Sequence, residues 1–176
     1  FDHFKNKRLV APEYGGDGKK EASEKYKDPI YGLPAHWAPN DLLFYSGDMF
    51  PNRYKNGAFI AFHGSTNRNP YPQAGYVVGF IPFKNGLPSG ELEIFADGFA
   101  QVEIIKEMKN AKYRPMGLAE GSDGSLYISD SKKGKIWRVL YTDDKLKFSD
   151  ENLKEMDLRK YLPHIKTPEE FQDIVK

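Results

Sequence analysis

The stretch from Arg114 to Val139, RPMGLAEGSDGSLYISDSKKGKIWRV, predicts the fold more directly than any other part of the chain. It contains three short apolar runs, and the first turn between them holds Asp123-Gly124, a dipeptide that supplies the positive φ of a tight hairpin. In Ile136–Val139 apolar and polar residues alternate, which is typical of a half-buried strand. The pattern predicts a three-stranded antiparallel meander, and such meanders are the units of a β-propeller.

Four more strands are predicted upstream, and together they have the size of one complete propeller blade. Their ranges are Asp41–Ser46, Gly57–Gly64, Gly75–Phe83 and Glu91–Ala96. The second of them is nearly all apolar, which predicts burial on both faces. We therefore predict an all-β fold made of antiparallel four-stranded blades, about two of which lie in this chain.

The predicted strands divide the chain into three parts. Residues 1–38 are polar and rich in glycine, so we expect a long loop and entry segment there, followed by partial propeller blades over 39–142. Residues 143–176 form a C-terminal extension, in which Asn152–Lys160 is predicted to form a helical turn or two. A short helix is predicted near 167–175, because Thr-Pro-Glu-Glu at its start forms a capping box with proline at the first helical position.

Composition excludes several classes of function. The 176 residues carry a formal net charge of +1, so no basic surface for nucleic acid is expected. There is no cysteine, which excludes disulfides, thiolate catalysis and cysteine-ligated zinc. No apolar run approaches the roughly 20 residues of a membrane span.

Polar groups follow the predicted strands at places where packing alone does not explain them. His63 and the five residues after it, GSTNR, end a buried strand, and they include Asn67 and Arg68, which can donate to carboxylate or carbonyl oxygens. Lys112 and Arg114 stand two residues apart on an extended segment, so their side chains are predicted to share one side and to suit a polyanionic ligand. For each, the alternative is a turn cap or a solvated surface charge.

The remaining polar candidates have weaker signals. His36 stands beside Trp37 between two prolines, and it either lines a pocket or caps a turn. Asp130 ends a strand and is predicted to hold a turn through backbone hydrogen bonds. His3 and His164 have no ligand partner in the sequence pattern, and we predict that they are incidental.

Three segments resemble the sorbosone/glucose dehydrogenase family. They are LPAHWAPNDLLFYSGDMFPNRYKNGAFIAFHGSTNR, AGYVVGFIPF and KYRPMGLAEGSDGSLYISDSKKGKIWRV, and the resemblance covers most of residues 1–142. Members of that family are quinoproteins that hold pyrroloquinoline quinone (PQQ) and Ca²⁺ on the axis of a six-bladed propeller. Many relatives have tryptophan where this chain has Thr66, so a stacking contact at that position is not implied.

The resemblance implies which residues of this chain contact the cofactor. They are Arg114, Lys112, Arg68, Asn67, His36 and His63. The family's general-base histidine and most of its Ca²⁺ ligands lie in the N-terminal half of the propeller, so no catalytic residue and no metal ligand is expected in this chain. The missing propeller half, from the same polypeptide or another chain, is the expected partner, and the chain alone is expected to be inactive.

The function implied by the resemblance is oxidation of the anomeric carbon of an aldose with PQQ, in the periplasm or outside the cell. Electrons would pass to an external acceptor such as a cytochrome. Two other functions stay open on the residues alone. One is a non-catalytic propeller that binds sugar or serves as a scaffold, and the other is a Ca²⁺-dependent lactonase-type hydrolase.

Overall fold

The computed structural model describes residues 5, 7–24 and 26–166, and the chain divides into two compact units, 1–32 and 33–176. The described part of the first unit contains a short 3-10 turn at Pro12–Tyr14 and one isolated bridge between Leu9 and Glu21. Its remaining residues are irregular. The helix that the sequence predicts near 167–175 lies outside the described residues.

The second unit contains the regular secondary structure. Its strands are β1 Pro39–Phe44, β2 Ala58–Phe62, β3 Val77–Ile81, β4 Phe83–Lys84, β5 Leu87–Pro88, β6 Glu93–Ala96, β7 Pro115–Glu120, β8 Leu126–Asp130 and β9 Ile136–Val139. They form an antiparallel sheet in the order β1-β2-β3-β6, a two-stranded hairpin of β4 and β5, and an antiparallel sheet in the order β7-β8-β9. The predicted strands are confirmed. The small hairpin of β4 and β5 was not predicted.

The core lies around β2 and β3, in which every residue is buried. The ring of Phe59 lies 5.0 Å from that of Phe80 and 4.7 Å from that of Phe95, measured between centroids, and Tyr54 packs 4.8 Å from Phe80. Each fully buried aromatic side chain contributes about 1.5–3 kcal/mol through removal of apolar surface from water. The continuous apolar run in β2 is thus explained by burial on both faces, as predicted.

The second sheet packs against the first through its inner strand, β7, which contacts β1 and β2. The Leu118 amide donates to Asp41 Oδ2 at 2.7 Å, and the Tyr45 hydroxyl donates to the Gly124 carbonyl at 2.7 Å. Gly124 has φ of +81°, which the turn between β7 and β8 requires. Hydrogen bonds from the middle of β7 and from the turn after it therefore fix the two sheets together.

The one α-helix of the described residues, α1, spans Asp150–Leu158, and a capping box of Ser149 and Asn152 begins it. With a single short helix beside antiparallel sheets, the all-β prediction is confirmed. The two sheets do not close into a ring within residues 33–166, so the propeller stays a prediction. In the part of the chain that the structure describes, no helix has the length and hydrophobicity that crossing a membrane requires.

Candidate functional site

The candidate site lies where β2 and β8 end and where β3 and β7 begin, because antiparallel pairing brings these strand ends together. Residues 63–76 join β2 to β3 and are called the β2–β3 loop below. Buried polar side chains are concentrated here, and they include Ser65, Arg68, Gln73, Arg114 and Asp130. Because buried polar groups need hydrogen-bond partners inside the protein, the side chains at this end of the sheets are held by several contacts.

Arg114 connects the two sheets. The residue is 6% exposed, its Nε donates to the His63 carbonyl at 3.0 Å, and its Nη2 donates to the Gly64 carbonyl at 2.7 Å. The guanidinium also lies 5.3 Å from the centroid of the Tyr76 ring, within range of a cation–π interaction. Nη1 has no hydrogen-bond partner among the described residues, yet it is not sealed from solvent. One corner of a buried cation is therefore available to an anionic ligand.

Asp130 has the structural role that the sequence predicts. Its Oδ1 accepts from the Arg114 amide at 2.6 Å, and its Oδ2 accepts from the Lys133 amide. Burial raises the pKa of this carboxyl, but the backbone hydrogen bonds outweigh burial and hold the pKa below its ordinary value. Asp130 thus fixes both the start of β7 and the turn after β8.

His63 stands beside Arg114 at the end of β2. Its Nε2 lies 2.7 Å from Ser131 Oγ, and the ring is partly exposed. Burial, and then the positive charge of Arg114, lower the pKa of His63 below its ordinary value of 6.5, while Asp130 opposes the shift. Burial and the neighbouring guanidinium thus both favour the neutral form of the imidazole.

Arg68 is turned toward the protein. It is 7% exposed, with Nη1 donating to the Pro72 carbonyl at 3.1 Å and Nη2 donating to the Lys166 carbonyl at 2.6 Å. Asn67 beside it is exposed. The structure therefore brings His63 and Arg114 together, while Arg68 serves the packing of the β2–β3 loop and Asn67 is exposed on the same loop.

The interior of the β2–β3 loop is organised around Ser65. Its Oγ donates to Gln73 Oε1 at 2.7 Å and accepts from the Ala74 amide at 2.8 Å, and its carbonyl accepts from the Tyr76 hydroxyl at 2.5 Å. Gly64 has φ of +89°, and a Cβ there would lie 2.4 Å from the Tyr76 ring. The glycine is required because the backbone lies directly on that ring, which leaves the Gly64 carbonyl facing Arg114.

Lys112 and His36 lie apart from this cluster. Lys112 is exposed, its Nζ lies 5.3 Å from the Tyr113 ring, and it lines a separate cleft of about 380 Å³ with Trp137, which Arg114 does not line. The structure therefore does not place Lys112 and Arg114 on the common ligand surface that the sequence predicts. His36 is exposed, whereas its neighbour Trp37 is buried and packs 5.2 Å from Phe62 between ring centroids.

His164 has a structural contact that the sequence pattern does not indicate. The residue is 6% exposed, and its Nε2 donates to Asp97 Oδ1 at 2.7 Å. The two residues are separated by 67 positions, and no local pattern in the sequence marks either of them. His3, the other histidine predicted to be incidental, lies outside the described residues.

Across residues 5, 7–24 and 26–166, no group of three or more histidine or carboxylate side chains is arranged to hold a metal ion. The donors available to a ligand at this site are instead Arg114 Nη1 and the exposed Asn67 amide. Both groups suit an anion or a carbonyl oxygen.

Together the fold and the site define an antiparallel β protein whose strands end at a buried arginine, Arg114, with His63 beside it. Over residues 6–142 the sequence matches the TrAA12-like family, and the chain belongs to that family. The sorbosone/glucose dehydrogenase family suggested by the sequence is not the one matched, and that finer assignment stays a prediction.

Two curated proteins are similar in sequence. An uncharacterized protein of Borreliella burgdorferi is 35% identical over 129 residues, which is 73% of this chain and 32% of that protein. The peptidyl-glycine alpha-amidating monooxygenase of Mus musculus is 26% identical over 114 residues, 61% of this chain and 11% of that protein. The chain thus spans less than two thirds of either relative.

Solved structures with partial similarity come from two fungi. The holo form of the PQQ domain of pyranose dehydrogenase from Coprinopsis cinerea has a TM-score of 0.42 at 24% identity, covering 60% of this chain and 27% of that one. The calcium structure of the Trichoderma reesei carbohydrate-active enzyme of family AA12 has a TM-score of 0.39 at 25% identity, covering 58% and 24%.

Proposed function

We propose that this chain is part of a quinoprotein oxidoreductase that binds PQQ at the end of the sheets occupied by Arg114 and His63. The reaction would be oxidation of an aldose or related sugar at its anomeric carbon, with electrons passed to an external acceptor. The observation that carries the proposal is the guanidinium of Arg114, which is buried, anchored at two nitrogens and open at the third. Membership of the TrAA12-like family and the sequence resemblance described above support it.

The hydrogen-bond donors at this site could bind some of the oxygens of PQQ, which is a planar tricarboxylate. Arg114 Nη1 would donate to a carboxylate or a quinone oxygen, and because the other two nitrogens are fixed, its position is set before a ligand arrives. The exposed Asn67 amide can supply a second contact. When bound, PQQ supplies the two-electron acceptor that no amino-acid side chain provides.

The residues of the chain have three roles in this proposal. Arg114 orients the ligand and supplies positive charge, Asp130 holds the Arg114 backbone, and the His63 carbonyl anchors the Arg114 guanidinium. Ca²⁺ does not fit the described residues, since no carboxylate cluster lies among them. We therefore assign no step to calcium in this chain.

The test is an absorbance titration of the protein with PQQ, comparing the wild type, Arg114→Ala, and Arg138→Ala as a matched control at the opposite end of the second sheet. Loss of a charged hydrogen bond should weaken binding by about tenfold or more in Arg114→Ala, and the control should bind as the wild type does. If Arg114→Ala unfolds, Arg114→Lys gives the result, because it keeps the charge but loses the fork geometry.

Equal affinity for PQQ in the wild type and in a folded Arg114 variant would contradict the proposal. A dye-reduction assay with aldoses then separates the other functions. Hydrolysis of lactones without PQQ would indicate a lactonase-type enzyme, and the absence of both reactions together with binding of sugar would indicate a binding module.

A further inference from the structure

A segment outside the family match packs against the candidate site. The match ends at residue 142, whereas α1 and the residues after it continue the described chain to 166. After a 3-10 turn at Arg159–Tyr161, His164 and Ile165 are buried, at 6% and 8% exposure. Burial of a polar and an apolar side chain in succession shows that this segment, residues 159–166, is part of the packed structure.

The segment is attached first to the end of β6. Arg159 Nη1 donates to the Ile94 carbonyl at 3.2 Å and to the Phe95 carbonyl at 2.5 Å. His164 Nε2 donates to Asp97 just beyond that strand, as described above. Burial raises the pKa of Asp97, but the hydrogen bond and charge of His164 outweigh it, and the pKa lies below its ordinary value.

The same segment is attached to the β2–β3 loop at two points. The Gly75 amide donates to the His164 carbonyl at 2.9 Å, and Arg68 Nη2 donates to the Lys166 carbonyl at 2.6 Å. His164 therefore touches β6 through its ring and the loop through its backbone. A displacement of His164 would therefore disturb both the hydrogen bond to Asp97 and the hydrogen bond to Gly75.

Contacts inside the loop continue from Gly75 to the carbonyls that hold Arg114. The Ser65 amide donates to the Ala74 carbonyl at 2.8 Å, which pairs the two sides of the loop. A Cβ on Gly75 would lie 3.1 Å from Gly64 Cα, so the two glycines are packed backbone to backbone. Gly64 in turn presents its carbonyl to Arg114.

One feature of His164 is not explained by packing. Its Nδ1 is buried and has no hydrogen-bond partner among the described residues. Leaving a buried polar nitrogen unpaired is unfavourable, and an apolar side chain would fill this space without that cost. The imidazole makes the hydrogen bond to Asp97, which an apolar side chain could not make.

We propose that His164, Asp97 and Arg68 are positioning residues that clamp the β2–β3 loop and thereby fix the His63 and Gly64 carbonyls against Arg114. The clamp is a property of residues on both sides of the family boundary: Arg68 and Asp97 lie inside the matched region and His164 lies outside it. Its effect on cofactor binding rests on the function proposed above, but its effect on the loop does not.

The experiment measures amide hydrogen exchange in the wild type, His164→Ala, His164→Gln and Lys160→Ala. His164→Ala should speed exchange of the Gly75 and Ser65 amides by about tenfold or more, while amides of β8 keep their rates. His164→Gln should restore wild-type rates, because its amide can donate to Asp97. Lys160→Ala removes an exposed side chain of the same segment and should change nothing.

Two results would overturn the clamp. One is unchanged exchange of the loop amides in His164→Ala, and the other is an equal increase in the loop and in β8, which would indicate general destabilisation. PQQ affinity provides the second readout, with an expected loss of about tenfold in His164→Ala and recovery in His164→Gln. A third outcome separates the two proposals. If the loop amides exchange faster in His164→Ala, but PQQ affinity is unchanged both in that variant and in a folded Arg114 variant, the clamp is supported and the quinoprotein function is contradicted.

Discussion

The two ends of the second sheet use the same pair of residue types in opposite ways. At one end, Arg114 and Asp130 are buried, and their side chains bind backbone groups rather than one another. At the other end, Arg138 and Asp123 form a direct salt bridge, and their side chains are 46% and 41% exposed. A buried charged group requires hydrogen-bond partners inside the protein, whereas an exposed pair is also solvated by water.

The difference has an energetic meaning. An exposed ion pair adds little, because water and salt screen it, while a buried guanidinium removed from its acceptors leaves those acceptors unsatisfied. We therefore expect substitution of the buried Arg114 to have a large effect and substitution of the exposed Arg138 to have a small one. Four measurements test this contrast, beginning with the largest effect.

Arg114→Ala should lower the free energy of unfolding by about 3 kcal/mol or more, because the His63 and Gly64 carbonyls lose a charged donor. Urea denaturation monitored by tryptophan fluorescence measures the change. Arg114→Lys should recover part of the loss. A loss below about 1 kcal/mol in Arg114→Ala would show that the two ends are energetically alike.

Tyr45→Phe should have the next largest effect, about 1–3 kcal/mol, since three partners lose the hydroxyl at once. The hydroxyl donates to the Gly124 carbonyl and accepts from the Met49 and Phe50 amides at 3.0 and 3.2 Å. Urea denaturation again provides the measurement. Phe44→Tyr places a hydroxyl on an exposed neighbouring ring and serves as the control, with no expected change.

His63 should make stability depend on pH at the Arg114 end. Its pKa in the folded protein lies below 6.5, so the neutral ring stabilises the fold above about pH 6.5, and this contribution is lost as the pH falls through the folded pKa. NMR titration of the imidazole should give a pKa below that of a histidine in an unfolded peptide. His63→Gln should remove this part of the pH dependence, and an unchanged profile would refute the assignment.

Arg138→Ala should have the smallest effect, too small to separate from the wild type in the same urea experiment. The Arg138 guanidinium and the hydrogen bonds from Ser125 hold the pKa of Asp123 at about 2, with the serine contributing most. Stability from this carboxylate is therefore complete above about pH 4 and is lost as the pH falls toward 2. A clear change in stability between pH 5 and 8 in Arg138→Ala would contradict this assignment.

The sequence predicts the strands well, because each buried strand carries its own pattern. The apolar run of β2 and the Asp123-Gly124 turn are local signals, and the structure confirms both. The hairpin of β4 and β5 was missed although its turn, Asn85-Gly86, is a strong hairpin dipeptide in which both residues have positive φ. Each strand of this hairpin has only two residues, which is too short for an alternating pattern to indicate a strand.

The site is predicted less completely, because side-chain partners that are backbone carbonyls leave no mark in a sequence. Arg68 suggests an anion ligand by its type, yet two of its nitrogens bind the carbonyls of Pro72 and Lys166. The pairing of His164 with Asp97 needs the folded chain to bring the two together. By contrast, Arg114 stands directly before a predicted strand, so its place at the strand ends could be foreseen.

The side chain of Arg114 begins in the second sheet and ends on carbonyls of the first. The two sheets cannot separate at this end without breaking both of these hydrogen bonds. The pair of sheets should therefore open as one cooperative unit, and protease cleavage between them should require unfolding of both.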